Sequence, residues 1–380
     1  MTGVLNWLLR RLLLVLTLLT IRRERQSVAS GTGVLKVDIS YMHILGYGYS
    51  VFGRLAIRGE YFWVIVDTGS PNIFFVWKEW YESDFGSCSY FRFGCYTCPK
   101  TCNPSEHKQD FINFADGTVV CVFDYNDTIS IGQEDVPNLH FGLVSGQDPR
   151  HRLKKPFNLL GLSPYVKGDF NSLLDQLMSS STKPIAAKVF GLYLVERKDS
   201  ISGKLLLGGG DPGIYKGPLR YVKLNSKDDY TVTVAAKIQV GVDLLDLGII
   251  CDALLDTGAN SIRVPQAEGC FQRLIKGIQQ EASRASIDVP FTWDAEAGLW
   301  TFPCAYHATM PRLTFWLGSK GDVPLTLTYT NYVRNIGNSC ALIIRQTKKT
   351  RWTLPGEAII GNYVEFRPEE GRVGIAPLAV

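Results

Sequence analysis

Apolar and β-branched residues gather in short runs along this chain, and Gly, Pro, Asn and Asp separate one run from the next. Tyr61–Val66, Val119–Phe123, Lys188–Val195, Lys204–Leu207, Thr231–Val240, Ile249–Leu255 and Leu313–Trp316 read as strands. Two stretches instead repeat apolar residues at one-face helical spacing. Phe170–Met178 does so through Leu173, Leu174 and Leu177, and Gln266–Arg284 through Phe271, Leu274, Ile275 and Ile278. The expected fold is mainly β, with a few short helices packed on the sheets.

A length of 380 residues allows about two domains with substantial cores. The 40 Lys and Arg nearly balance the 36 Asp and Glu, and no stretch concentrates Lys and Arg as a phosphate-binding surface would require, so nucleic acid is not an expected partner. Motifs for several other chemistries are absent from the sequence: there is no G-x-S-x-G, no H-E-x-x-H and no phosphate-binding G-x-x-x-x-G-K-S/T, and the five His are scattered.

Near the N-terminus, Leu12–Ile21 is an unbroken apolar stretch with Arg10 and Arg11 before it and Arg22, Arg23 and Arg25 after it. A membrane-spanning helix needs about 20 residues, so residues 1–30 read as a secretory signal with a cut before Gly31. The Arg cluster after the apolar run leaves an uncleaved anchor or a mis-started chain as alternatives. Asn126-Asp127-Thr128 is a glycosylation sequon on that route. Nine cysteines fit an oxidising compartment, with disulfides among Cys88, Cys95, Cys98 and Cys102 pinning a loop and the odd total leaving one thiol unpaired. A cytosolic chain would instead offer those four thiols to zinc.

The function is carried by an internal repeat. Val64-Ile65-Val66-Asp67-Thr68-Gly69-Ser70 returns as Ala253-Leu254-Leu255-Asp256-Thr257-Gly258-Ala259, 189 residues later. Leu159-Leu160-Gly161 follows the first Asp, and Ile359-Ile360-Gly361 follows the second, in the same order and at similar distance. Two related halves are expected. A carboxylate at the end of an apolar strand is costly without a partner. If a twofold axis brings Asp67 and Asp256 together, each becomes the other's partner. Carboxylates about 3 Å apart cannot both ionise, so one acts as acid and the other as base.

At these residues the chain resembles the pepsin-like aspartic proteases, from about Gly53 to the C-terminus. Besides the two Asp-Thr-Gly and apolar-apolar-Gly elements, the ending Gly371-Arg372-Val373-Gly374-Ile375-Ala376-Pro377 matches. The resemblance implies a bilobal fold, with an N-terminal lobe and flap at 31–198 and a C-terminal lobe at 199–380. It implies a monomeric endopeptidase, secreted or lysosomal/endosomal, that acts on peptides or unfolded proteins and needs no metal or cofactor. Asp67 and Asp256 would be catalytic, supported by Thr68, Gly69, Ser70, Thr257, Gly258 and Ala259. Phe114-Ala115-Asp116-Gly117-Thr118, on an Ile112–Ile131 hairpin, matches the flap, and Cys304 and Cys340 sit where the family has its C-terminal disulfide.

Several positions depart from the family pattern. The usual flap Tyr is Phe114, and its usual Trp partner is Phe74, so both ends of a hydrogen bond are absent and an apolar contact is expected instead. After Gly361 the chain reaches Phe366 without the usual helix-bearing connection. The stretch before Gly53 is short for a propeptide, so either none is needed or part of a gene product is lacking. Ala259 replaces a common hydroxyl residue, which raises the carboxyl pKa values and moves the active window toward neutral pH. The competing reading is a catalytically weak or inactive peptide-binding relative.

Overall fold

The computed structural model describes residues 33–44, 46–148, 156–164, 171–285 and 288–379. The signal-like segment lies outside them. Among the described residues no helix is long and apolar enough to cross a membrane.

The strands form sheets of thirteen, eight and four strands. The largest joins the two halves. Its order begins with Arg220–Lys223, Arg372–Pro377 and Asn362–Arg367, continues through Phe190–Arg197, Ser200–Leu207 and Leu35–Ile44, and then runs on through Gly48–Ile57 and Glu60–Asp67. Both ends of the described chain thus lie in one sheet. Leu35–Ile44 shows the period-two alternation of a strand with one buried face: Leu35, Val37, Ile39 and Tyr41 are buried, and residues between them face outward. Burying each such side chain is worth about 1.5–3 kcal/mol against full exposure.

The two halves repeat one arrangement around the candidate Asp residues. In the first, Glu60–Asp67 pairs in parallel with Leu159–Gly161, which runs antiparallel to Ile73–Val76. In the second, Cys251–Asp256 pairs in parallel with Trp352–Pro355, which meets Ile262–Pro265 in the antiparallel sense.

This register corrects the reading of Ile359-Ile360-Gly361. Asp67 lies opposite Gly161, whereas Asp256 lies opposite Pro355; Ile360 instead bridges to Leu194 in the joining sheet. The spacing agrees better as well, because 161 − 67 is 94 and 355 − 256 is 99. A Cβ on Gly161 would come within 2.5 Å of the carbonyls of Ser70 and Asn72, which accounts for the glycine there. In the second half Pro355 takes that place and Gly356 follows. Counted from Pro355, the connection is not truncated, since it carries the helical turn Gly356–Ile359 before strand Asn362–Arg367.

The remaining elements follow the hydrophobic pattern with local shifts. Helices Leu173–Ser179 and Cys270–Ala285 each start three or four residues later than expected and run one residue past the expected end, the first capped by the Ser172 hydroxyl accepting from the Asp175 amide. The strand expected from Ile249 begins at Cys251, because Gly248 turns with φ 78° and Ile250 is left exposed. Helix Lys78–Phe85 was not legible, since its short aromatic sequence buries only Trp80 and Tyr81.

Cys88–Cys95 and Cys98–Cys102 form disulfides that pin the loop after that helix, so these four sulfurs are not free for zinc. Cys304–Cys340 is also bonded and closes a 36-residue separation, worth about 3–4 kcal/mol if chain entropy dominates. Three thiols remain, Cys121, Cys251 and Cys270, rather than the one expected. An odd total fixes only the parity of the unpaired set. Alkylation of the denatured, unreduced protein should therefore label three cysteines, with the linked pairs recovered by peptide mapping; a single labelled cysteine would contradict the arrangement.

Candidate active site

Each half delivers its Asp from a strand that runs into the interior. Val64, Ile65 and Val66 are buried and lead to Asp67; Ala253, Leu254 and Leu255 are buried and lead to Asp256. The Thr after each Asp then ties one half to the other. The Thr68 amide donates to the Thr257 hydroxyl at 3.0 Å, and the Thr257 amide donates to the Thr68 hydroxyl at 3.0 Å. Each hydroxyl in turn donates to a carbonyl of the opposite strand: Thr68 Oγ1 to Leu255 at 2.8 Å and Thr257 Oγ1 to Val66 at 2.6 Å. Both Thr are fully enclosed, so this closed set of four bonds satisfies groups that water cannot reach.

The glycines make the approach close enough. A Cβ on Gly69 would lie 2.5 Å from Asp256 Oδ1, and one on Gly258 would lie 2.5 Å from Asp67 Oδ1. Each Gly amide also donates to the Asp two residues earlier, at 2.8 Å to Asp67 and 3.1 Å to Asp256. The two carboxyl groups are hydrogen-bonded to each other.

Burial raises the pKa of both Asp residues above the usual carboxylate range, and the negative charge of Asp256 pushes Asp67 higher still. On Asp256 the bond from Asp67, the amides of Gly258 and Ala259, and the charge of Arg263 oppose the rise. The neutral form is therefore favoured more at Asp67, although the pair titrates jointly. The halves differ at the fourth motif position: Ser70 and Ala259 are both buried, and Ala259 offers Asp256 only its backbone amide.

Residues Phe114–Thr118 form the turn between strands Gln109–Asn113 and Val119–Ile131. The Phe114 amide bonds the Thr118 carbonyl, Gly117 turns at φ 89°, and the Thr118 amide bonds Asp116 Oδ1. Phe114 packs edge-on against Phe74 at 6.3 Å between centroids, which replaces the absent hydrogen bond by an apolar contact. A third ring completes it. Phe157 lies 5.6 Å from Phe74 and 5.5 Å from Phe114, and neither the repeat nor the flap motif pointed to it. Asn126 is exposed on strand Val119–Ile131, and the Cys304–Cys340 disulfide joins the helical turn Cys304–Thr309 to strand Cys340–Leu342 of the four-stranded sheet.

A second tie between the halves was also missed. Tyr41, on the first strand, donates to Glu357 Oε1 at 2.5 Å, and Arg334 Nε donates to the Tyr41 hydroxyl at 3.3 Å. Glu357 sits in the turn directly after Pro355-Gly356, so this network braces the strand behind Asp256. Its carboxyl pKa is raised by burial.

The chain is similar to known proteins over most of its length. Residues 56–378 match the family described as eukaryotic aspartyl protease. The chain is similar to gastricsin of Oryctolagus cuniculus, 26% identical over 373 residues that cover 91% of this chain and 86% of that protein. It is similar to pepsin A of Gallus gallus at 26% identity, covering 91% and 89%, and to cathepsin D of Homo sapiens at 27%, covering 90% and 82%.

The raised carboxyl pKa values have a consequence for stability. Folding favours the neutral pair, so its contribution is fully present below the ordinary carboxylate range and is lost as pH rises through the raised value. Asp67→Asn removes one of the two coupled ionisations. Its Tm relative to wild type should climb between about pH 4 and about pH 7; a difference that stays flat or falls would contradict the shared burial of the pair.

Proposed function

The chain belongs to the eukaryotic aspartyl protease family, and we propose that it is an endopeptidase in which Asp67 and Asp256 share one proton and activate a water molecule. The observation that carries this reading is the closed Thr68–Thr257 set of bonds, which holds the two carboxyl groups in contact. Asp256, whose anion is favoured by two amides and a nearby Arg, takes a proton from water as its oxygen attacks the peptide carbonyl carbon. Asp67 gives its proton to the carbonyl oxygen. The resulting tetrahedral diol collapses with a proton passed to the leaving nitrogen, the C–N bond breaks, and the pair again holds one proton.

The flap and its aromatic contacts support a cleft for extended peptides, with apolar side chains of the substrate against Phe74, Phe114 and Phe157. We take the protein to act as a monomer on peptides or unfolded proteins. The disulfides fit the secretory route, with Asn126 as its glycosylation site. The loss of a flap hydrogen bond is the observation that favours the competing reading, an inactive or weak peptide binder. Intact carboxyls and their bonds weigh against it.

Asp67→Asn and Asp256→Asn should each lower hydrolysis of an unfolded protein at acid pH by at least about 10³-fold while the fold persists, because Asn keeps the shape but cannot exchange the proton. Turnover close to wild type in either variant would exclude the shared-proton mechanism. In the same assay Ala259→Thr, by adding a hydroxyl donor to Asp256, should move the high-pH limb of the rate profile to lower pH.

A further inference from the structure

Phe74 stands seven residues after Asp67, and Arg263 stands seven residues after Asp256. The two positions occupy matching strands, Ile73–Val76 and Ile262–Pro265, each antiparallel to the strand that pairs with its Asp strand. In the first half this position faces the flap, as the Phe74–Phe114 contact shows. The repeat therefore aims position 263 into the cleft from the other side. Burial agrees: Ile262 and Val264 are buried in the core, while Arg263 between them is only half-buried on the opposite face.

Among the described residues the Arg263 guanidinium makes no hydrogen bond or ion pair. Its charge reaches Asp256, where it favours the anion, but the Asp pair that shares a proton carries only one negative charge. The residue in register with it on the adjacent parallel strand Ile344–Thr347 is a second cation, Arg345, whose Nη1 is held by the Ala297 carbonyl at 2.6 Å. Partial burial makes Arg345 easier to deprotonate, and the neighbouring positive charge of Arg263 adds to the effect. Two neighbouring Arg side chains do not stabilise a sheet. They are the arrangement that a further carboxylate would complete, and a guanidinium takes a carboxylate through two parallel bonds.

We propose that Arg263, backed by Arg345, is a specificity-determining residue that binds an acidic side chain of the substrate, so that peptides with Asp or Glu at one position flanking the apolar centre are preferred. This rests on the peptide-cleft reading above and names its substrate class.

The test uses the full chain carrying Asp67→Asn, which binds without turnover. End-blocked octapeptides with two apolar central residues are scanned with Glu or Gln at each flanking position, and Kd is measured about one pH unit above the ordinary Glu range. At one position Glu should bind about tenfold tighter than Gln, the size of a net charge-assisted hydrogen bond. Adding Arg263→Gln should remove the preference, and Arg263→Lys should retain part of it. Equal binding of Glu and Gln peptides at every position, or a preference that survives Arg263→Gln, overturns the proposal. A preference found only with a free C-terminal carboxylate overturns the side-chain assignment. Wild-type hydrolysis of an unfolded protein, run alongside, separates the two readings: cleavage without acidic preference sinks this inference alone, whereas acidic preference without cleavage sinks the endopeptidase reading and leaves this one standing.

Discussion

The arrangement of the cleft depends on two Thr side chains that exchange hydrogen bonds across the seam between the halves. Each amide finds the other's hydroxyl, and each hydroxyl finds a carbonyl of the opposite strand. A typical bond of this kind contributes about 0.5–1.5 kcal/mol net, yet a buried group left without its partner costs about 1–3 kcal/mol, so the set is far harder to break than its sum implies. Fixing the Thr fixes the Asp before each one and the Gly after it. The glycines allow carboxyl and backbone to approach, and the close, buried carboxyls then hold a proton they would lose in water. The acid–base chemistry proposed for the pair would follow from this geometric constraint.

That constraint needs the halves to stay in register, and two devices beyond the Thr provide it. The shared sheet places Leu35–Ile44 beside Ser200–Leu207 and carries Arg372–Pro377 as well, so neither half can rotate freely. The buried Tyr41–Glu357–Arg334 network then fastens the first strand to the turn behind Asp256. Around this fixed centre the two halves differ in kind: aromatic rings gather at Phe74, Phe114 and Phe157 in the first, while the matching strand of the second carries Arg263, in register with Arg345. The substitution of a flap Tyr and its partner by Phe exchanges a directional bond for packing, which keeps the contact while relaxing its angle.

Much of this was legible in the sequence because the repeat is written in residues that have few substitutes. Asp, Thr and Gly at Asp67–Gly69 and Asp256–Gly258 each serve a separate physical demand, and the mainly β pattern and helices Leu173–Ser179 and Cys270–Ala285 follow from period alone. The matching parallel strand of the second half was misplaced on Ile359-Ile360-Gly361, since an apolar pair before Gly is a weak signal and Pro355 had replaced the glycine that would have marked the true register. Phe157 and Tyr41 could not be found by any local pattern, as their roles arise from contacts spanning 43 and 316 positions: 157 − 114 for the first and 357 − 41 for the second. Arg263 was reachable in principle by laying one repeat over the other. Its counterpart is Phe74, and the mismatch in chemistry at equivalent places is the signal.

In the proposed mechanism hydrolysis rests on one buried pair of carboxyls, Asp67 and Asp256. This mechanism is tested most directly by titrating cleavage of an unfolded protein at acid pH with a peptide that carries a hydroxyl in place of the scissile carbonyl, since that hydroxyl occupies the place of the activated water. The expected result is a linear loss of activity that reaches zero at about one inhibitor per chain. Cleavage that persists when the inhibitor is in excess would assign the activity to another group or another protein, and would contradict the shared-proton account.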